Sequence, residues 1–131
     1  KMDKKITFEV DISNNLKVFI KRLALKRALM NLVDNAFNYG DKVKIAVSES
    51  KNNVIITIDD NGPGIPESER VNVFKPFYRI DNSRNLDKKL PSGGSGLGLA
   101  IAMDAITSQG GRVRLSDSPS GGLRVLIYIP I

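Results

Sequence analysis

Three groups of residues stand out as able to do chemistry. Asn31, Asn35 and Asn38 fall within the stretch MNLVDNAFNYG, although asparagine is a poor helix former. If that stretch is helical, Asn31 and Asn35 stand four apart on one face, and Tyr39 continues the line below Asn35. A neutral amide oxygen suits Mg²⁺ when phosphate oxygens supply the negative charge. The plainer reading is a set of asparagines exposed near a helix end. The second group is DDNGPGIP, residues 59–66. Asp60 follows Ile58 by two, so it leaves a strand on the face of Val54, Ile56 and Ile58. A carboxylate on the core side needs a hydrogen-bond donor, and an adenine amino group would supply one. Gly62 and Gly64 would let the backbone turn tightly and approach a flat ligand. A plain turn explains the glycines and Pro63, but not an inward aspartate. The third group is GGSGLGLA, residues 93–100, with glycines at 93, 94, 96 and 98 leading into an apolar run. Loop and helix N-terminal N–H groups cradle phosphate in such an arrangement. No Lys-Ser or Lys-Thr follows, so it is not a P-loop. A long loop rather than a strand precedes it, so it is not a dinucleotide fingerprint. Taken alone, a flexible linker is the default reading.

These groups need elements to position them. KITFEV at 5–10 and LKVFI at 16–20 read as short strands separated by Ser13-Asn14-Asn15. Leu25, Leu29, Leu32, Val33 and Ala36 recur at spacings of three and four, which predicts a helix over 23–39, ended by Gly40. Strands follow near 43–48 and 53–59, joined by a turn at Lys51-Asn52-Asn53. Pro66 to Phe74 reads as a short helix, with Pro66 suited to its first turn. Residues 75–96 have no clear period, and a loop of that length is usually functional or mobile. A second long helix is expected over 97–108, stopped by Gly110-Gly111, and strands at 112–117 and 123–129 close the chain. Strands beside a few helices, without regular βαβ alternation, predict a single α/β domain over 1–131. It should be an α/β sandwich with helices on one sheet face.

Composition excludes several chemistries. The chain has 131 residues, with 41% apolar and 26% charged, no cysteine and no histidine. That removes thiolate chemistry, the commonest zinc ligands, the usual general base and any phosphohistidine acceptor from the chain. The formal charge of +6 favours an anionic partner without choosing one. No aromatic stacking motif accompanies it, so nucleic acid is not the expected partner. No apolar run approaches a bilayer's thickness and no signal-peptide pattern opens the sequence, so this piece is expected to be soluble. Separately, the isolated domain is expected to be a monomer.

Taken in order, NxxxNAxxYG, DxGxG, FxPFYR and GxGLGLA resemble the N, G1, F and G2 boxes of the histidine-kinase ATPase domain family. That family belongs to the gyrase, Hsp90, histidine-kinase and MutL superfamily. The resemblance covers nearly the whole chain, and the wording around FKPFYRIDNSR and GLGLAIA is most similar to the osmosensor (EnvZ) type.

The resemblance implies a Bergerat-type two-layer sandwich, with a mixed, mostly antiparallel sheet and three helices on one face, holding ATP between its helices and a mobile lid, here about residues 75–96. Asn35 would be the Mg²⁺ ligand, Asn31 would sit near the phosphates, and Tyr39 would pack against adenine. Asp60 would accept from the adenine amino group, with Gly62 and Gly64 completing that pocket. Gly94, Gly96, Leu97 and Gly98 would form the phosphate cradle. Phe74 and Phe77 match the F box, where anchoring the lid is the expected role. Arg79 and Arg84 would reach phosphate from the lid. ATP-hydrolysing relatives such as gyrase carry a glutamate, as water-activating base, where this chain has Asn31. An amide cannot take a proton from water, so phosphoryl transfer to an outside nucleophile is the better fit. In the family that nucleophile is a histidine on a separate dimerisation domain, from which a response regulator is served. The parent protein would be a bacterial sensor anchored in the inner membrane, with this domain in the cytoplasm. A serine kinase of the anti-sigma type and a degenerate regulatory nucleotide-binding domain are the alternatives. Asn38 departs from the Lys or Arg of many relatives, and Asn85 to Ser92 makes a long lid.

Overall fold

A computed structural model describes residues 5–13, 21–70, 72–74 and 98–131. The strand expected at 16–20 and the loop expected at 75–96 lie outside the described residues. In chain order the elements are β1 Lys5–Asp11, α1 Arg22–Tyr39, β2 Lys42–Glu49 and β3 Asn53–Asp60, then two 3₁₀ turns, Glu67–Glu69 and Asn72–Phe74. Helix α2 spans Gly98–Thr107, and β4 Arg112–Asp117 and β5 Leu123–Pro130 complete the chain.

The five strands form one sheet in the order β1-β2-β3-β5-β4. Only the β1–β2 pair is parallel; the other three are antiparallel. Period-two alternation sets the core face. Ile58 lies between Ile45 and Val125, and Ile56 between Val47 and Ile127, so the apolar positions of three strands share one side. Helices α1 and α2 lie against each other and cover that side, with Ala28, Leu32 and Ala36 from α1 and Ala102 and Ile106 from α2 in the core. Leu32, Ile58, Ile106 and Ile127 are fully buried, each contributing about 1.5–3 kcal/mol relative to an exposed position. Among the described residues, β1 and β4 are the two edges of the sheet, and β1 is the less covered of them. Its Ile6, Phe8 and Val10 share the core face by register with Val43, Ile45 and Val47, yet remain exposed.

Within the expected helix over Pro66–Phe74, the described residues form two single 3₁₀ turns instead. Pro66 itself is extended at φ −54°, ψ 142°, and the Glu69 N–H donates back to the Pro66 carbonyl at 2.8 Å. Val71 and Val73 are β-branched and disfavour helix, and Phe74 is held by packing against the core rather than by helical periodicity. The helix layer therefore consists, among the described residues, of two α-helices and these turns. No helix among the described residues is long and apolar enough to cross a membrane.

Candidate functional site

Strand β3 carries its alternation to the last residue, so Asp60 emerges on the core face after Val54, Ile56 and Ile58. It is 4% exposed. Its Oδ1 accepts the Gly62 N–H at 2.9 Å and the Leu123 N–H at 3.1 Å. Both donors converge on Oδ1, and Oδ2 takes part in neither bond. Gly64 has φ +80°, a left-handed conformation that glycine adopts without strain.

Between Asp60 and Gly62, Asn61 points the other way in purpose. Its Oδ1 accepts the N–H groups of Asp41 and Lys42 at 3.0 and 3.1 Å, and its Nδ2 donates to Asp41 Oδ1 at 2.9 Å. Asn61 thus ties the loop after β3 to the turn after α1. Gly40 ends α1 with extended backbone, φ −128°, and its N–H donates to the Ala36 carbonyl at 3.0 Å. Glycine is needed there for space, since a Cβ would stand 2.5 Å from Asn61 Oδ1.

Asn31, Asn35 and Asn38 are half-buried along the C-terminal half of α1, with Asn31 and Asn35 one turn apart. Tyr39 closes the helix, and its side chain lies outside the described residues. At the other end of α1 the Lys21 N–H donates to Gln109 Oε1, just past α2. The two helices therefore pack with opposite ends together, which sets the Gly98 end of α2 toward the half of α1 that carries Asn31 and Asn35. Gly98 is the first residue of α2, followed by buried Leu99 and Ala100. Gly94, Gly96, Leu97, Phe77, Arg79 and Arg84 lie outside the described residues. Phe74 packs against the core.

No cluster of three or more His, Cys, Asp or Glu exists among the described residues; the neutral amide oxygens of Asn31 and Asn35 are of a kind that suits Mg²⁺ when phosphate oxygens supply the negative charge. An open cleft of about 370 Å³ is lined by Pro63 to Glu67, Gly64 included, with Arg70 and Asp117. It contains none of Asn31, Asn35 or Asp60, and the Arg70–Asp117 ion pair belongs to its wall.

Residues 20–131 match the family described as histidine kinase-, DNA gyrase B- and HSP90-like ATPase. The chain belongs to this family. Within it, the similarity is to the catalytic ATPase domains of sensor histidine kinases. The chain is 44% identical over 109 residues to the sensor histidine kinase CpxA of Escherichia coli K12, covering 82% of this chain and 23% of CpxA. It is 39% identical over 111 residues to the sensor histidine kinase GtrS of Pseudomonas aeruginosa, covering 84% and 22%. The chain thus spans less than a quarter of the length of these relatives. Among solved structures, it superimposes on the mycobacterial sensor histidine kinase MprB with a TM-score of 0.76 at 32% identity, over 95% of this chain and 81% of that one. The catalytic domain of histidine kinase ThkA, in a nucleotide-free form, gives 0.79 at 28% identity, over 98% and 81%.

Two contacts around the loop after β3 escaped sequence reasoning. Asn61 reads as one more turn residue, and its link to Asp41 is visible only in three dimensions. The turn SPSGG at 118–122 reads as a spacer between strands, yet Gly122 sits against Asp60: a Cβ there would collide with Oδ1 and come 2.5 Å from the Asp60 carbonyl oxygen. The double glycine was the available signal.

Proposed function

We propose that this domain binds Mg²⁺-ATP and donates the γ-phosphoryl group to a histidine on a separate dimerisation domain, in two-component signalling. The observation that carries the reading is the Asp60 carboxylate, buried at the end of β3 with one oxygen engaged by two backbone amides. A carboxylate held this way is a fixed acceptor for an exocyclic amino group. Guanine presents a carbonyl oxygen at that position, so carboxylate and base would repel, and adenine is selected.

Asn35 would hold the metal ion, which neutralises phosphate charge when bound. Tyr39 would pack on the base, Gly94, Gly96, Leu97 and Gly98 would cradle the phosphates, and Arg79 and Arg84 would contact them from the lid. Asn31 lies on the same face as Asn35 and, being an amide, cannot deprotonate water. The domain's contribution is therefore position and charge stabilisation. In the step itself a histidine ring nitrogen forms a bond to the γ-phosphorus as the bond to the bridging oxygen breaks. ADP leaves with that electron pair, and the ring proton passes to solvent. The chain contains no histidine, so alone it has no such acceptor. A response regulator would take the phosphoryl group next, and the parent sensor would be membrane-anchored with this domain on the cytoplasmic side.

The test is transfer in trans. The chain is mixed with ATP labelled in its γ-phosphate, Mg²⁺ and a separately prepared histidine-bearing dimerisation domain of a homologous sensor. Acid-labile, alkali-stable label on that histidine is expected. Retained ATP binding without transfer to any such domain would instead mark a regulatory nucleotide-binding module.

A further inference from the structure

We propose that the β4–β5 turn, through Gly122 and the Leu123 N–H, is a positioning element that sets base selectivity at Asp60. The inference rests on the ATP-binding reading above and concerns how the same site is built. Of the two bonds to Asp60 Oδ1, the Gly62 donor comes from the adjoining loop, but the Leu123 donor comes from 63 residues further along the chain. The turn that delivers it is tied internally. The Ser118 N–H donates to the Gly122 carbonyl at 2.8 Å, and the Gly121 N–H donates to the Ser118 carbonyl at 3.0 Å. Ser118 Oγ, largely buried, accepts the Ser120 N–H at 3.1 Å, and Ser120 Oγ reaches the Asp60 carbonyl at 3.5 Å.

The two glycines of this turn serve different ends. Gly121 has φ +101°, and a Cβ there would meet nothing within 4 Å. Gly122 is not among the glycines of positive φ. Its requirement is proximity, since a Cβ would collide with Asp60 Oδ1 and stand 2.7 Å from Gly62 N. The carboxylate cannot swing aside without giving up both amide donors, so a side chain at 122 must displace the group that reads the base. With Oδ1 engaged twice, Oδ2 is the oxygen left to accept from an amino group, and the turn fixes its direction. Gly122 and Leu123 act through Asp60 and touch no reacting atom.

The two requirements separate in an experiment. ATP and inosine triphosphate carry the same phosphates, but inosine has a carbonyl in place of the amino group. The wild-type chain should prefer ATP, and Gly122→Ala should cut that preference about tenfold or more, chiefly by weakening ATP, as expected for a misplaced hydrogen bond to a charged acceptor. Gly121→Ala strains the same turn without touching Asp60, so it should lower the melting temperature and keep the preference. Unchanged preference in Gly122→Ala overturns the proposal, as does equal loss in both variants. Wild-type chain that binds no ATP overturns the functional reading as well, which distinguishes the two failures. Should Gly122→Ala not fold, the wild-type amide resonances decide. Those of Gly62 and Leu123 should both move on adding ATP and much less with inosine triphosphate, and a Leu123 amide indifferent to ATP overturns the proposal.

Discussion

Asn61 and Asp41 hold each other at both ends of the Asn61 amide: Oδ1 accepts the Asp41 N–H at 3.0 Å, and Nδ2 donates to Asp41 Oδ1 at 2.9 Å. The pair spans the two segments that the site depends on, the end of α1 and the glycine loop after β3. Asn61→Ala removes these bonds and the one from the Lys42 N–H at 3.1 Å. A cost of about 1–2 kcal/mol is expected, because the contacts are partly open to water. ATP affinity should fall with it. Asn61→Asp keeps the acceptor but sets a second carboxylate where Nδ2 donates to Asp41 Oδ1, so it should not recover the loss at neutral pH. Thermal unfolding and nucleotide titration of both variants check this.

Asn35→Ala should make nucleotide binding insensitive to the metal. The wild-type chain is expected to bind ATP more tightly with Mg²⁺ than with a chelator, because an amide oxygen and phosphate oxygens share the ion. In the variant the two titrations should coincide near the chelator value, with the melting temperature little changed, since Asn35 is only half-buried. A variant with full metal dependence would remove Asn35 from the role.

The outer face of the sheet makes a separate prediction. Asp59 and Arg124 face each other across β3 and β5, bonded twice at 2.7 and 2.9 Å, with the Asp59 side chain 7% exposed and that of Arg124 32%. The bond to Asp59 raises the Arg124 guanidinium further above its ordinary value, so it stays charged throughout the accessible pH range. Arg124→Ala strands a buried carboxylate and should cost about 2 kcal/mol in urea denaturation, less than a wholly buried pair because water reaches the arginine. Asp59→Thr with Arg124→Val should recover most of it. ATP binding should survive in both, because Asp59 lies on the opposite face from Asp60.

On the same outer face Lys44 Nζ lies 2.8 Å from Glu9, joining edge strand β1 to β2. Lys44, through its hydrogen bond and charge, holds the Glu9 carboxyl below its ordinary 4.5, and Glu9 in turn raises Lys44 above 10.5. A depressed carboxyl contributes stability that is present above its unfolded value and is lost as pH falls through the folded one. A raised lysine contributes stability that is present below its unfolded value and is lost as pH rises through the folded one. Glu9→Gln should therefore flatten the acid limb of the stability profile below about pH 4.5. The difference should shrink in high salt, since both side chains are exposed. Thermal unfolding against pH at two salt concentrations measures it.

Periodic elements were legible before any coordinates. Alternation in Val54, Ile56 and Ile58 placed Asp60 on the core face, and that is where it lies. Spacings of three and four in Leu25, Leu29 and Leu32 marked α1 within a residue of its start. What stayed hidden depends on contacts between distant segments. Gly40 reads as an ordinary helix stop, but its extended φ shows that contact with Asn61 demands the glycine. Gly122 reads as a loose turn, because nothing local signals an aspartate 62 positions earlier pressing against it. The segment after Pro66 reads as helix from its first residue, but its described residues form 3₁₀ turns, with Phe74 packed against the core rather than placed by helical periodicity.

Calorimetric titration tests most directly whether Asp60 reads an adenine ring. The purified chain is titrated with ATP and Mg²⁺, with GTP and Mg²⁺, and again with ATP after Asp60→Asn. Saturable ATP binding is expected, with GTP weak and the variant at least about tenfold weaker for ATP, the cost of one hydrogen bond to a charged acceptor. A folded chain that binds ATP and GTP alike, or whose Asp60→Asn variant binds ATP as tightly as the wild type, would contradict the account.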